Sequence, residues 1–137
     1  IGDGSGGEYV YHSTGRSGIT ADGGFFHNGA GADDYWELKD QTVANVMQFG
    51  AVGDGTADDT VEIQAAIDAA LAKSTQTSYT VFAPGQSPTV YFPRGVYAIS
   101  ATLNIGGSSV DFFSYIALRG EGKHRSVIRA ITGSTLR

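Results

Sequence analysis

One stretch constrains the fold of this chain more than any other: residues 49–68, Phe-Gly-Ala-Val-Gly-Asp-Gly-Thr-Ala-Asp-Asp-Thr-Val-Glu-Ile-Gln-Ala-Ala-Ile-Asp. A short apolar strand end runs into a glycine-rich turn and then into an amphipathic helix. Glycine at 50, 53 and 55 lets the backbone enter φ > 0 without a Cβ penalty. Asp59 is placed to cap the helix with its carboxylate, and Glu62, three residues on, to act as the reciprocal partner of a capping box. Ile63, Ala66, Ile67, Ala70 and Leu71 then follow the i, i+3, i+4, i+7, i+8 spacing of one buried helical face. The stretch predicts a capped helix that covers an apolar surface.

What it covers is read from the residues that follow. After a polar break at 74–78 come short β-rich pieces: Tyr79–Ala83, Thr89–Pro93, Val96–Ser100, Thr102–Ile105, Tyr115–Arg119 and Ser126–Ile131. Gly or Pro punctuates most of the gaps, as in Pro84-Gly85, Pro93-Arg-Gly95 and Gly120-Glu-Gly122. Short strands without intervening helices fit a sandwich, a barrel or a β-solenoid. The apolar pieces Val90–Phe92, Leu103–Ile105, Ile116–Leu118 and Val127-Ile128 recur at 13, 13 and 11 residues, intervals that suit successive faces or rungs of a coiled stack. A solenoid has an exposed apolar end that needs a lid with one apolar face, and the stripe from Ile63 to Leu71 is such a face. Too few coils follow for independent stability, so the expectation is the front of a longer protein.

Residues 1–34 hold ten of the twenty glycines and few aliphatic side chains, with short apolar pieces at Tyr9–Tyr11 and Phe25-Phe26. They read as a linker or a small irregular β module. The expected division is a glycine-rich neck and attachment segment over 1–45, then the lid helix and first coils over 46–137. A hydrophobic content of 41% permits a packed core, while no apolar run approaches 18 residues, so membrane insertion is not expected. Without cysteine there is no disulfide framework and no thiolate metal site. The net charge of −5 conceals an asymmetry, −10 over residues 1–70 and +5 over 71–137. Arg119, Lys123, Arg125 and Arg129 form a basic stripe, but no recognition motif accompanies them and nucleic acid is not expected as a partner.

Three motifs carry a resemblance. Phe49-Gly-Ala-Val-Gly-Asp-Gly-Thr-Ala-Asp-Asp-Thr60 followed by Ile63-Gln-Ala-Ala-Ile67 resembles the opening segment of the pectate-lyase-like superfamily. Val90-Tyr-Phe-Pro-Arg-Gly-Val-Tyr97 resembles that family's strand, Pro-x-Gly turn and strand, and Leu118-Arg-Gly-Glu-Gly-Lys123 with Val127-Ile128 resembles its first coil. The resemblance covers about residues 46–131. It implies a mainly β fold, the start of a right-handed parallel β-helix with an N-terminal capping α-helix. The glycine-rich lead with Gly23-Gly-Phe-Phe26 and Tyr35-Trp-Glu-Leu38 is similar to that of bacteriophage tailspikes. That similarity implies a homotrimer on the virion, attached to tail or baseplate proteins through its N-terminal region. Later coils would bind host capsule or lipopolysaccharide glycan and depolymerise it as a hydrolase or a lyase. A non-catalytic adhesive tail protein and a secreted pectin- or glucan-degrading enzyme are the alternatives.

Within this span no catalytic residue, metal site or cofactor is expected. Asp54, Asp58 and Asp59 resemble a catalytic or Ca²⁺-binding cluster, yet Asp54 sits between turn glycines and Asp58 and Asp59 lie where a helix N-terminus favours anions. His12, His27 and His124 lack metal-ligand spacing. Tyr91, Phe92 and Tyr97 are expected in the core or between coils, and Trp36 as a packing anchor between lead and β-helix. Arg94 is placed for a salt bridge, and Ser13, Ser17 and Ser100 sit in no nucleophile elbow. Substrate-binding residues are not legible here: in resembling proteins the groove lies on later coils.

Overall fold

The computed structural model describes residues 6–74, 88–105 and 116–131. Its first element group is the antiparallel sheet β1-β3-β2, made from β1 (Tyr9–His12), β2 (Phe26–Asn28) and β3 (Tyr35–Leu38). β3 is central, pairing Tyr11 with Trp36 on one side and His27 with Trp36 on the other. The lead sheet does not pack apart from the rest. Phe25 and Leu38 are buried in one cluster with Phe49, and the rings of Phe25 and Phe49 meet edge to face with centroids 5.4 Å apart.

Two parallel sheets follow. β4 (Val43–Asn45), β6 (Thr89–Phe92) and β8 (Ala117–Gly120) form the first, with Ala44, Val90 and Leu118 in register. β5 (Asp54–Asp58), β7 (Gly95–Ile99) and β9 (Ser126–Ala130) form the second, with Val96 opposite Val127 and Tyr97 opposite Ile128. Each rung thus contributes one strand to each sheet, and successive rungs stack directly: this is the start of a parallel β-helix. The 11- and 13-residue intervals in the sequence are steps between faces. The rung itself repeats at 28 residues in the first sheet, from Val90 to Leu118, and at 31 in the second, from Val96 to Val127.

The helix α1 (Thr60–Ser74) leaves the first rung and packs over β4 and β6. Its predicted stripe is the buried one: Ile63, Ala66, Ile67, Ala70 and Leu71 all lie in the core with Val46, Val90 and Leu103. Each large aliphatic side chain buried there contributes roughly 1.5–3 kcal/mol. The three turn glycines adopt the expected left-handed backbone, at φ 105°, 69° and 78° for Gly50, Gly53 and Gly55. At Gly53 a Cβ would also come within 2.9 Å of the Tyr97 ring, so no other residue fits.

Two local readings change. Residues 54–58 look like turn in the sequence because of their Asp and Gly content, yet they form β5, irregularly paired to β7 between Asp54 and Asp58. Conversely, Thr102–Ile105 is not a strand, only an isolated bridge at Leu103. The expected strand at 79–83 and most of the gap before Ile116 lie outside the described residues. Among the described residues, no helix is long and apolar enough to cross a membrane.

Candidate functional site

The acidic turn is where sequence chemistry is most suggestive, and the structure resolves each carboxylate. Asp59 is 1% exposed. It does not cap α1 with its side chain: Oδ1 accepts from the Val52 amide at 2.6 Å and Oδ2 from the Gly53 amide at 3.2 Å. The capping box also fails, because the Asp59 N–H is claimed by the Ala98 carbonyl of β7 at 2.8 Å. Glu62 has no role there, and its buried Oε2 has no hydrogen-bond partner among the described residues. The main chain of Asp59 still opens the helix, its carbonyl accepting from Ile63 N–H at 3.0 Å. One residue therefore ties the glycine turn, the helix start and the second sheet together.

Asp58 performs the capping instead. Its Oδ1 accepts from the Thr60 amide at 3.1 Å and from the Thr60 hydroxyl, while the Ser100 hydroxyl donates to Oδ2. These hydroxyls, Ser100 first, hold its carboxyl down at about 2, against an ordinary 3.8. The Ser100 amide donates to Thr60 Oγ1 at 2.9 Å. One turn along the helix, Gln64 makes a second latch: its Nε2 donates to the Asn104 carbonyl at 3.1 Å and its Oε1 accepts from the Asn104 amide at 2.8 Å. Asp54 accepts from the amides of Ala57 and Thr56, which lower its pKa. All three carboxylates are thus occupied by the fold. Among the described residues, no group of three or more His, Cys, Asp or Glu is arranged to hold a metal ion.

The other candidates are scattered. His12 stacks on Tyr35, and its Nε2 lies 3.0 Å from Glu37 Oε2, off the line a hydrogen bond needs, so the contact is ionic only when the ring is protonated. His27 packs edge-on to Tyr9. His124 is exposed in the β8–β9 turn with φ 64°. Ser13 and Ser17 are exposed in the lead. Arg94 is exposed and forms no ion pair with a described residue. Trp36 is not the anchor between lead and β-helix: it is 42% exposed and leans on Tyr11 with ring centroids 4.9 Å apart. Its neighbour Tyr35 is buried while Trp36 is not, and the anchoring falls to Leu38 and Phe25.

The strand aromatics divide. Phe92 and Tyr97 are core, their rings 5.5 Å apart. The Tyr97 hydroxyl donates to the Pro93 carbonyl at 2.8 Å, and burial, reinforced by the Asp59 charge, pushes its pKa up to about 12. Tyr91 faces outward instead. Strand alternation in Thr89–Phe92 turns Val90 and Phe92 inward and leaves Tyr91 on the opposite face, a signal already present in the sequence. There Tyr91 borders a cleft of about 430 Å³ between the lead sheet and the first rung, with Glu8, Lys39, Asp40, Asn45 and Gln48 also in its walls. Its hydroxyl donates to Glu121 at 3.3 Å; partial burial first, then that carboxylate, raise its pKa. Sequence reasoning singles out none of the cleft's polar residues, because they come from three separate segments.

Stacked parallel rungs closed at one end by an amphipathic helix define the class, the front of a parallel β-helix. The chain belongs to the pectate-lyase-like family described as rhamnogalacturonase A/epimerase, whose family model matches residues 43–136. It is similar to the mannuronan C5-epimerase AlgE4 of Azotobacter vinelandii, 40% identical over 90 residues that make up 66% of this chain and 14% of that protein. Among solved structures it is similar to the Agl-KA catalytic domain, with 18% identity and a TM-score of 0.53 over 76% of this chain and 18% of that one. It is also similar to ORF18 of Geobacillus virus E2, with 28% identity and a TM-score of 0.49 over 80% of this chain and 22% of that one. The chain therefore spans a small part of the length of the relatives it matches.

Proposed function

We propose that this chain is the front of a trimeric phage tailspike whose β-helix binds and depolymerises a bacterial surface polysaccharide. In this reading residues 1–45 form the attachment neck that meets tail or baseplate proteins, and α1 is the lid of the helix. The observation that carries it is the family match over residues 43–136, preceded by a glycine-rich, aromatic-bearing lead that runs directly into the first rung. The acidic turn supplies architecture, so the acid and base of cleavage belong to the groove on later coils. Incubating the whole protein with capsule or O-antigen of its host should release oligosaccharides; intact polymer after prolonged incubation rules the reading out.

A second reading is favoured by the 40% identity to a mannuronan C5-epimerase. Here the whole protein would act on a polyuronate by removing the proton beside the carboxylate, which needs a general base and stabilisation of the developing charge. Return of a solvent deuteron to the opposite face of C5 would label mannuronan there in D₂O, whereas loss of the C4 substituent would leave a C4–C5 double bond with no hydrogen at C5.

A further inference from the structure

We propose that the cleft between the lead sheet and the first rung is a binding subsite for a neutral saccharide, separate from any cleavage groove on later coils. Its volume of about 430 Å³ lies in the usual range for small-molecule sites. The lining combines an aromatic ring with hydrogen-bonding groups that the fold leaves partly unused. The ring is Tyr91, on the outward face of β6. Gln48 Nε2 donates to the Gly6 carbonyl at 3.0 Å, whereas Gln48 Oε1 accepts no hydrogen bond among the described residues. Asp40 uses Oδ1 for Thr42 and leaves Oδ2 without a partner among the described residues. Among the described residues Lys39 Nζ contacts Glu8 alone, 3.0 Å away, leaving further N–H groups for a ligand. That pair is exposed and weak enough to open.

This combination fits a sugar. A pyranose offers a flat C–H face to an aromatic ring, and its hydroxyls both donate and accept, which suits a lysine beside an amide and carboxylate oxygens. Charge selects the kind of sugar. The charged residues of the lining are Lys39, Glu8 and Asp40, a net negative charge that disfavours polyuronates and phosphates. The backbone beneath part of the walls is set by strand pairing and close packing. Asn45 and Tyr91 are register partners on adjacent strands, and at Gly7 a Cβ would come within 2.5 Å of Leu38 and 2.8 Å of Gln48. The ordering cost then falls mainly on the exposed Lys39 and Glu8 side chains.

The subsite stands apart from the proposed reaction, since it needs no catalytic group. The test is titration of the whole protein with maltoheptaose and mannohexaose as neutral probes and hexamannuronate as the anionic control. At least one neutral probe should bind, and more tightly than hexamannuronate. Tyr91→Ala should weaken that binding about tenfold, the loss of one good stacking contact. Gln48→Ala, at the rim, should weaken it with the melting temperature unchanged, which separates lost contacts from lost folding. Failure of both neutral probes to bind, equal affinity in both variants, or tighter binding of hexamannuronate would overturn the proposal. Release of oligosaccharides from host polymer, measured separately, reports on the depolymerase reading and leaves this result standing.

Discussion

At Asp58 and Asp59, neighbouring carboxylates with the same chemistry perform opposite tasks. Asp59 is buried and turned back into the glycine turn, while Asp58 lies at the surface and gathers the Thr60 and Ser100 hydroxyls. The difference follows from β5, whose irregular pairing places the Asp59 N–H against Ala98 and so fixes which way its side chain leaves the chain. Because the folded pKa of Asp58 lies near 2, below its ordinary 3.8, its contribution to stability is present above that ordinary value and is lost as pH falls through about 2. Ser100 is the largest cause, so Ser100→Ala should raise the Asp58 pKa toward 3.8, read by NMR titration of the side-chain carboxyl. An unmoved titration would show that the hydroxyl is not what holds the charge.

Among the elements, α1 decides whether the first rung is closed. Its apolar stripe is sealed against β4 and β6, and the polar latches of Thr60 and Gln64 to residues 100–104 hold its outer edge. Ile67 is fully buried at the middle of that stripe. Ile67→Ala should cost about 2–5 kcal/mol in chemical denaturation, with the higher end expected if the rigid rung cannot collapse into the space. The stripe, the turn glycines and the strands at 89–92, 95–99 and 126–130 are legible in the sequence because each is a local pattern of fixed period. The partner of Asp59 is not, since Val52 and Gly53 become its ligands only after β5 has bent back onto β7. The cleft is illegible for the same reason: Gln48, Tyr91 and Lys39 meet only once the lead sheet has docked on the first rung.

For the molecule as a whole, the rungs give the chain a direction. The lead sheet, the turn and the lid lie at the acidic front, and the basic residues Arg119, Lys123, Arg125 and Arg129 gather on the last described strands and the turn between them. Leu118 and Val127, register partners of Val90 and Val96, are exposed on strands that pair on one side only among the described residues. Such an edge is a template for a further parallel rung. The acidic turn at 52–59 is a structural joint linking turn, lid and sheet, and thermal unfolding of Asp59→Ala measures what that joint contributes. Two partly buried amides lose the carboxylate they share, at roughly 1 kcal/mol each, so the cooperative midpoint should fall below that of the parent protein. An unchanged midpoint, accompanied by loss of glycan turnover in the whole protein, would contradict the claim and return Asp59 to the chemistry.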